Sequence, residues 1–179
     1  MVTVAVLFAR GDSVYKTIPG CDVFDEARDA RTWSGASPVI AHPPCRAWGR
    51  LRTFAKPAPH EKALAILAVH FIRQFGGVLE HPHASTLWPE CSLPLPGHGR
   101  DAHGGWTLPV DQFWFGHAAR KRTLLYIVGC EPQNVPLFPI TLGRAPGLVT
   151  HISKADREHT PPVFARWLFE LAKLCEVRS

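Results

Sequence analysis

Val39-Ile40-Ala41-His42-Pro43-Pro44-Cys45-Arg46-Ala47-Trp48-Gly49-Arg50 is the stretch on which the reading of this chain turns. An apolar run broken by a proline pair reads as a buried strand that stops abruptly at the edge of a sheet. Downstream, Leu64, Leu67, Ala68, Phe71, Ile72 and Phe75 recur at helical spacing within residues 59–75. Gly76 and Gly77 then end that helix, and residues 78–80 return as a strand. Strand, helix and strand in this order form a βαβ unit, which makes the two strands parallel.

The same reading extends in both directions. Residues 2–8 form a first buried strand, residues 21–25 a short second one followed by a helical turn over 26–31, and residues 38–41 the third. Residues 84–110, rich in Pro, Gly, His and Trp, read as one long ordered loop, a type that is commonly functional. Two more strands are expected at 112–115 and 124–128. A last helix is expected over 161–175, with Thr160 as its N-cap and Phe164, Trp167, Leu168, Leu171 and Leu174 on its apolar face. With no internal repeat and no long linker, residues 1–179 are read as a single-domain α/β protein with a mostly parallel sheet.

Chemistry enters where strands end. Open α/β sheets hold their ligands outside the carboxyl ends of their strands, and Cys45 and Glu80 both fall at such ends. A thiol there serves as a nucleophile if it ionises, and Arg46 and Arg50 are expected to favour the thiolate. A free cysteine is otherwise a small core residue, and Glu80 is otherwise a solvated carboxylate. The basic triplet Arg120-Lys121-Arg122 precedes the strand at 124–128.

Pro43-Pro44-Cys45, Glu80-His81-Pro82, Arg120 to Gly129 and Thr160-Pro161-Pro162-Val163-Phe164-Ala165 together resemble the DNA cytosine-5 methyltransferases, especially their short, phage-type members. Glu-His-Pro stands in place of that family's Glu-Asn-Val, and its Gln-x-Arg-x-Arg is matched only in part, with Leu124 at the second arginine position. The resemblance implies a truncated Rossmann-like methyltransferase core without a separate target-recognition domain. It implies Cys45, Glu80 and Arg122 as catalytic residues, with the thiol adding to C6 of a pyrimidine and a raised-pKa Glu80 supplying a proton at N3. It implies S-adenosylmethionine as donor, held by Phe8, Asp22, Asp25 and Pro44. The substrate, DNA or a nucleotide, would meet Arg46, Trp48, Arg50 and Lys121, with Trp48 able to stack on an extruded base.

Composition narrows the alternatives. The formal net charge of +5 suits an acidic partner such as nucleic acid. No apolar stretch reaches the roughly 20 residues of a bilayer span, and the start lacks the pattern of a secretory signal, so a cytoplasmic protein is expected. Five irregularly spaced cysteines do not form a disulfide framework, and no obligate protein partner is evident. Two other functions remain open from the residues. One is a non-catalytic nucleic-acid-binding relative. The other is a zinc-dependent base hydrolase or deaminase using His42, Cys45, His81 and His83, with Cys91 nearby.

Overall fold

A computed structural model describes residues 2–139, 143, 147 and 152–176. Six strands form one mixed sheet: β1 (Val4–Leu7), β2 (Cys21–Phe24), β3 (Val39–Ala41), β4 (Gly77–Pro82), β5 (Trp106–Asp111) and β6 (Arg122–Val128). Their order is β2-β1-β3-β4-β6-β5, parallel from β2 to β4 and antiparallel at the two β6 pairings. The helices are α1 (Glu61–Phe75), α2 (Leu87–Glu90), α3 (Lys154–Glu158) and α4 (Pro162–Lys173).

The central strands are apolar throughout because both faces are covered. Val4, Val6, Ile40, Val78 and Ile127 point to one side, where α4 packs Phe164, Leu168 and Leu171 against them. Ala5, Leu7, Val39, Ala41 and Leu79 point to the other, against Ala65, Ala68, Val69 and Ile72 of α1. The β3–α1–β4 unit is parallel, with Ala41 opposite Leu79. Gly76, at φ 76°, ends α1 by donating its N–H to the Ile72 carbonyl. A Cβ on Gly77 would come within 2.0 Å of the Val39 carbonyl oxygen, so only glycine lets β4 start this close to β3.

Several boundaries depart from the expectation. The stretch 84–110 is not one loop: it contains α2 and β5. Pro109 lies inside β5 and argues against a strand, yet β5 is an edge strand, where a missing N–H is tolerated. Residues Gln112–Phe115 form a 3-10 helix instead of a strand, because the Asp111 carboxylate accepts from Phe113 N–H and caps a turn. The last helix starts at Pro162, with Pro161 as its N-cap in place of Thr160.

The antiparallel hairpin has a functional consequence. Because β6 runs against both β4 and β5, its first residues lie beside the last residues of each: Thr123 opposes Pro82 of β4, and Arg122 opposes Asp111 of β5. The end of β5 and the start of β6 are thereby delivered to the edge of the sheet where β3 and β4 finish.

Candidate functional site

The chain reverses its winding direction between β1 and β3, since β2 flanks β1 on one side and β3 on the other. This switch point is where open sheets leave a crevice. His42 continues β3 by donating its backbone N–H to the Leu7 carbonyl. Pro43 and Pro44 then end the strand, and Cys45 opens a turn in which its carbonyl accepts from Trp48 and Gly49. Cys45 is exposed, as a nucleophile must be.

Beside it lies a largely buried polar chain drawn from five segments. Glu80 Oε2 is 3.1 Å from His42 Nδ1, and His42 Nε2 is 3.0 Å from the Tyr15 hydroxyl. Gln112 Nε2 donates to Glu80 Oε1 at 3.0 Å and to Thr123 Oγ1 at 3.0 Å. The carboxylate selects the His42 tautomer with a proton on Nδ1, which leaves Nε2 to accept from Tyr15 O–H. Both Glu80 oxygens therefore face donors. Gln112 is itself buried, and its Oε1 has no hydrogen-bond partner among the described residues.

This environment corrects one expectation. Burial alone would raise the Glu80 pKa, but the His42 hydrogen bond and the charge of Lys121 outweigh it and hold the carboxyl at about 2, the imidazoles of His42 and His81 adding to this only when protonated. Glu80 is thereby a carboxylate, not a raised-pKa acid. Burial likewise depresses the neighbouring His81 to about 4, against the opposing pull of Glu80 and the Pro44 carbonyl. Its Nδ1 lies 2.7 Å from Ser85 Oγ.

A pH prediction follows. His81 has a folded pKa below its unfolded one, so its contribution is present above about pH 6.5 and lost as pH falls toward 4. Urea midpoints should drop over that window, and the drop should shrink in His81→Gln. A profile identical in the two proteins would contradict the buried neutral His81.

The thiol also differs from expectation. The protein packed around Cys45 raises its pKa, the Glu80 charge adds to the rise, and Lys121 opposes it. Arg46 does not supply the expected stabilisation: its guanidinium forms a two-point ion pair with Glu61. Arg50 is exposed on the loop. Lys121 is thus the cation that acts on both Cys45 and Glu80. Arg122, at the start of β6, is exposed and its Nη2 donates to His83 Nε2 at 3.2 Å. Trp48 cannot stack on a base, because it is 1% exposed and packed in the core beneath α1.

The residues expected to hold a nucleoside-like donor do not fit that role as they stand. Asp25 accepts from Lys16 Nζ at 2.7 Å and from the backbone of Ala27 and Arg28. Asp22 pairs with Arg28 at 2.6 Å. Lys16 also bonds the Gly11 carbonyl, and Arg10 ties Asp12 to Glu158. Phe8 sits at φ 61° and Pro44 is half-buried, and neither offers a polar group to a ribose. Tyr15, from the 3-10 turn Val14–Thr17, is buried in the core cluster that contains Val4, Val6 and Ile40 of β1 and β3.

For zinc, His42 is committed to Tyr15 and Glu80, and no group of three or more His, Cys, Asp or Glu side chains suited to a metal occurs among the described residues. No helix among them is long and apolar enough to cross a membrane. No family model, curated protein or solved structure matches the chain. Cys45, Glu80 and Lys121, which the sequence singles out, are joined here by Tyr15, Gln112 and Thr123, which carry no such signal. Gln112 was hidden inside an apolar run read as a strand.

Proposed function

We propose that this protein is a pyrimidine C5-modifying enzyme, acting on DNA or nucleotides through a covalent bond between Cys45 and C6 of the base. One observation carries the reading: an exposed cysteine in the loop after β3 and a half-buried carboxylate in the adjacent parallel strand β4, each oxygen of which accepts a hydrogen bond, lie at the same edge of the sheet, and one lysine acts on both. In this reaction the Cys45 thiolate adds to C6, and the electron pair of the C5–C6 bond moves into the ring toward N3 and O2. C5 becomes an enamine carbon and attacks the electrophilic carbon of a co-substrate, whose leaving group departs with its bonding pair; the C5 proton then passes to water, and Cys45 leaves as thiolate as the C5=C6 double bond re-forms.

Glu80 begins as an acceptor that anchors the base through an N–H. Docking a flat ring against Glu80 enlarges desolvation, the factor that already raises its pKa. A proton taken from solvent then comes to lie between Glu80 and N3, where charge develops. Lys121 compensates the thiolate before addition and the ring charge after it.

The resemblance to cytosine-5 methyltransferases makes a methyl group the expected electrophile, but the crevice residues do not support S-adenosylmethionine, and no step here runs through it. That misfit favours the second reading, a nucleic-acid-binding relative without catalysis. Mass spectrometry of nucleosides from cells expressing the protein separates the two. A new C5-substituted pyrimidine is expected, and its absence, with nucleic acid still bound, would replace the enzyme with the binding module.

A further inference from the structure

The loop that leaves Cys45 displays apolar side chains where a loop ordinarily hides them. Phe54 is 85% exposed and Leu51 is 59% exposed. Arg50, Arg52 and Lys56 are exposed between and beside them, and none of the three has an acidic partner within 4.0 Å among the described residues.

The loop is nonetheless built. Its root is fixed by buried Trp48, whose carbonyl accepts from both Thr86 N–H and Thr86 Oγ1–H. Successive turns follow, with Arg52 N–H bonded to the Gly49 carbonyl, Phe54 N–H to Leu51 and Ala55 N–H to Arg52. The hydrogen bonds hold the backbone and leave the side chains at the surface.

We propose that residues 50–56 are a stacking platform for single-stranded nucleic acid, leading an unstacked base to Cys45. This names the substrate form of the proposed enzyme and rests on that reading. An open aromatic ring needs a free π-face, and duplex bases bury theirs in the stack, whereas a single strand offers one at every nucleotide. Three cations spread over seven residues match a run of phosphates, more than a free nucleotide carries. Attack at C6 also requires a base that lies outside a duplex stack. An anionic lipid surface would attract the same cations, but it would not explain why the loop starts at an exposed cysteine beside a carboxylate.

The test is fluorescence anisotropy of the full chain with a labelled single-stranded pyrimidine oligonucleotide, compared with its duplex, with a pyrimidine nucleoside monophosphate as competitor, and with phosphatidylserine vesicles. The strand should bind at least tenfold more tightly than duplex or monophosphate. Phe54→Ala should weaken it about tenfold without changing the salt dependence, since stacking is worth about 1–3 kcal/mol per base, and Phe54→Trp should restore it. Replacing Arg50, Arg52 and Lys56 together by alanine should reduce the slope of log affinity against log salt by about 2.

Equal binding of strand and duplex, no effect of Phe54→Ala, or a preference for vesicles would each overturn the proposal. Because binding is measured separately from chemistry, Cys45→Ser should still bind the strand. An adduct on a free nucleotide without strand binding would overturn the platform and spare the enzyme. Strand binding without any Cys45 adduct would support the platform and remove the enzyme.

Discussion

Cys45→Ser should abolish pyrimidine modification while leaving the fold intact. The thiolate is the reactive species, and a serine hydroxyl at the same point, far less acidic than a thiol, stays un-ionised. Modified nucleoside in expressing cells should fall to background. Because Cys45 is exposed, stability should stay within about 0.5 kcal/mol of the parent. Persistent modification in a folded Cys45→Ser protein would move the nucleophile elsewhere. Cys130 and Cys175 are buried, and Cys91 is half-buried away from the sheet edge, beside Arg73.

Glu80→Gln should have the other large effect, and it should act on rate and stability at once. Glutamine matches the carboxylate in shape but brings an amino group to a position where both neighbours, His42 Nδ1–H and Gln112 Nε2–H, are donors. Either one of these contacts breaks, or the Gln112 amide turns over and gives up its bond to Thr123 Oγ1. Turnover should fall by about 10²–10⁴-fold, the range of a lost general acid.

For stability the sign is fixed by the pKa. The folded value near 2 lies below the unfolded 4.5, so the contribution is present above about pH 4.5 and lost as pH falls toward 2. The variant should lose roughly 2–3 kcal/mol at neutral pH. It should also lack the acid-induced drop that the parent shows in that window, which denaturant melts from pH 7 to pH 2 would reveal. A variant with normal turnover and the same acid limb would take Glu80 out of both roles.

The fold was legible where the chain is most regular. The β3–α1–β4 unit could be read because its helix has a clear apolar stripe and ends in two glycines. The final helix could be read because Phe164, Leu168 and Leu171 recur on one face. The edge hairpin could not be read, since Pro109 disguises β5 and the apolar Gln112–Phe115 run imitates a strand while forming a capped turn.

The site divides in the same way. Cys45 and Glu80 could be singled out because the β3–α1–β4 unit can be located from sequence, although β4 runs two residues past Glu80 to Pro82 and Cys45 lies four residues beyond β3. Their protonation could not be read, because it depends on Tyr15, Gln112 and Lys121, which only the sheet order brings near them. Trp48 shows the reverse error: it stands next to basic residues in sequence but turns its ring into the core.

The covalent bond itself is the most direct test. A single-stranded oligonucleotide carrying one pyrimidin-2-one, whose unsubstituted C4 leaves C6 more open to a thiolate, should be incubated with the protein and digested for mass spectrometry. The account predicts a base-sized adduct on the peptide containing Cys45, absent in Cys45→Ser. A protein that binds this strand yet leaves Cys45 unmodified, or carries the adduct on another cysteine, would contradict it.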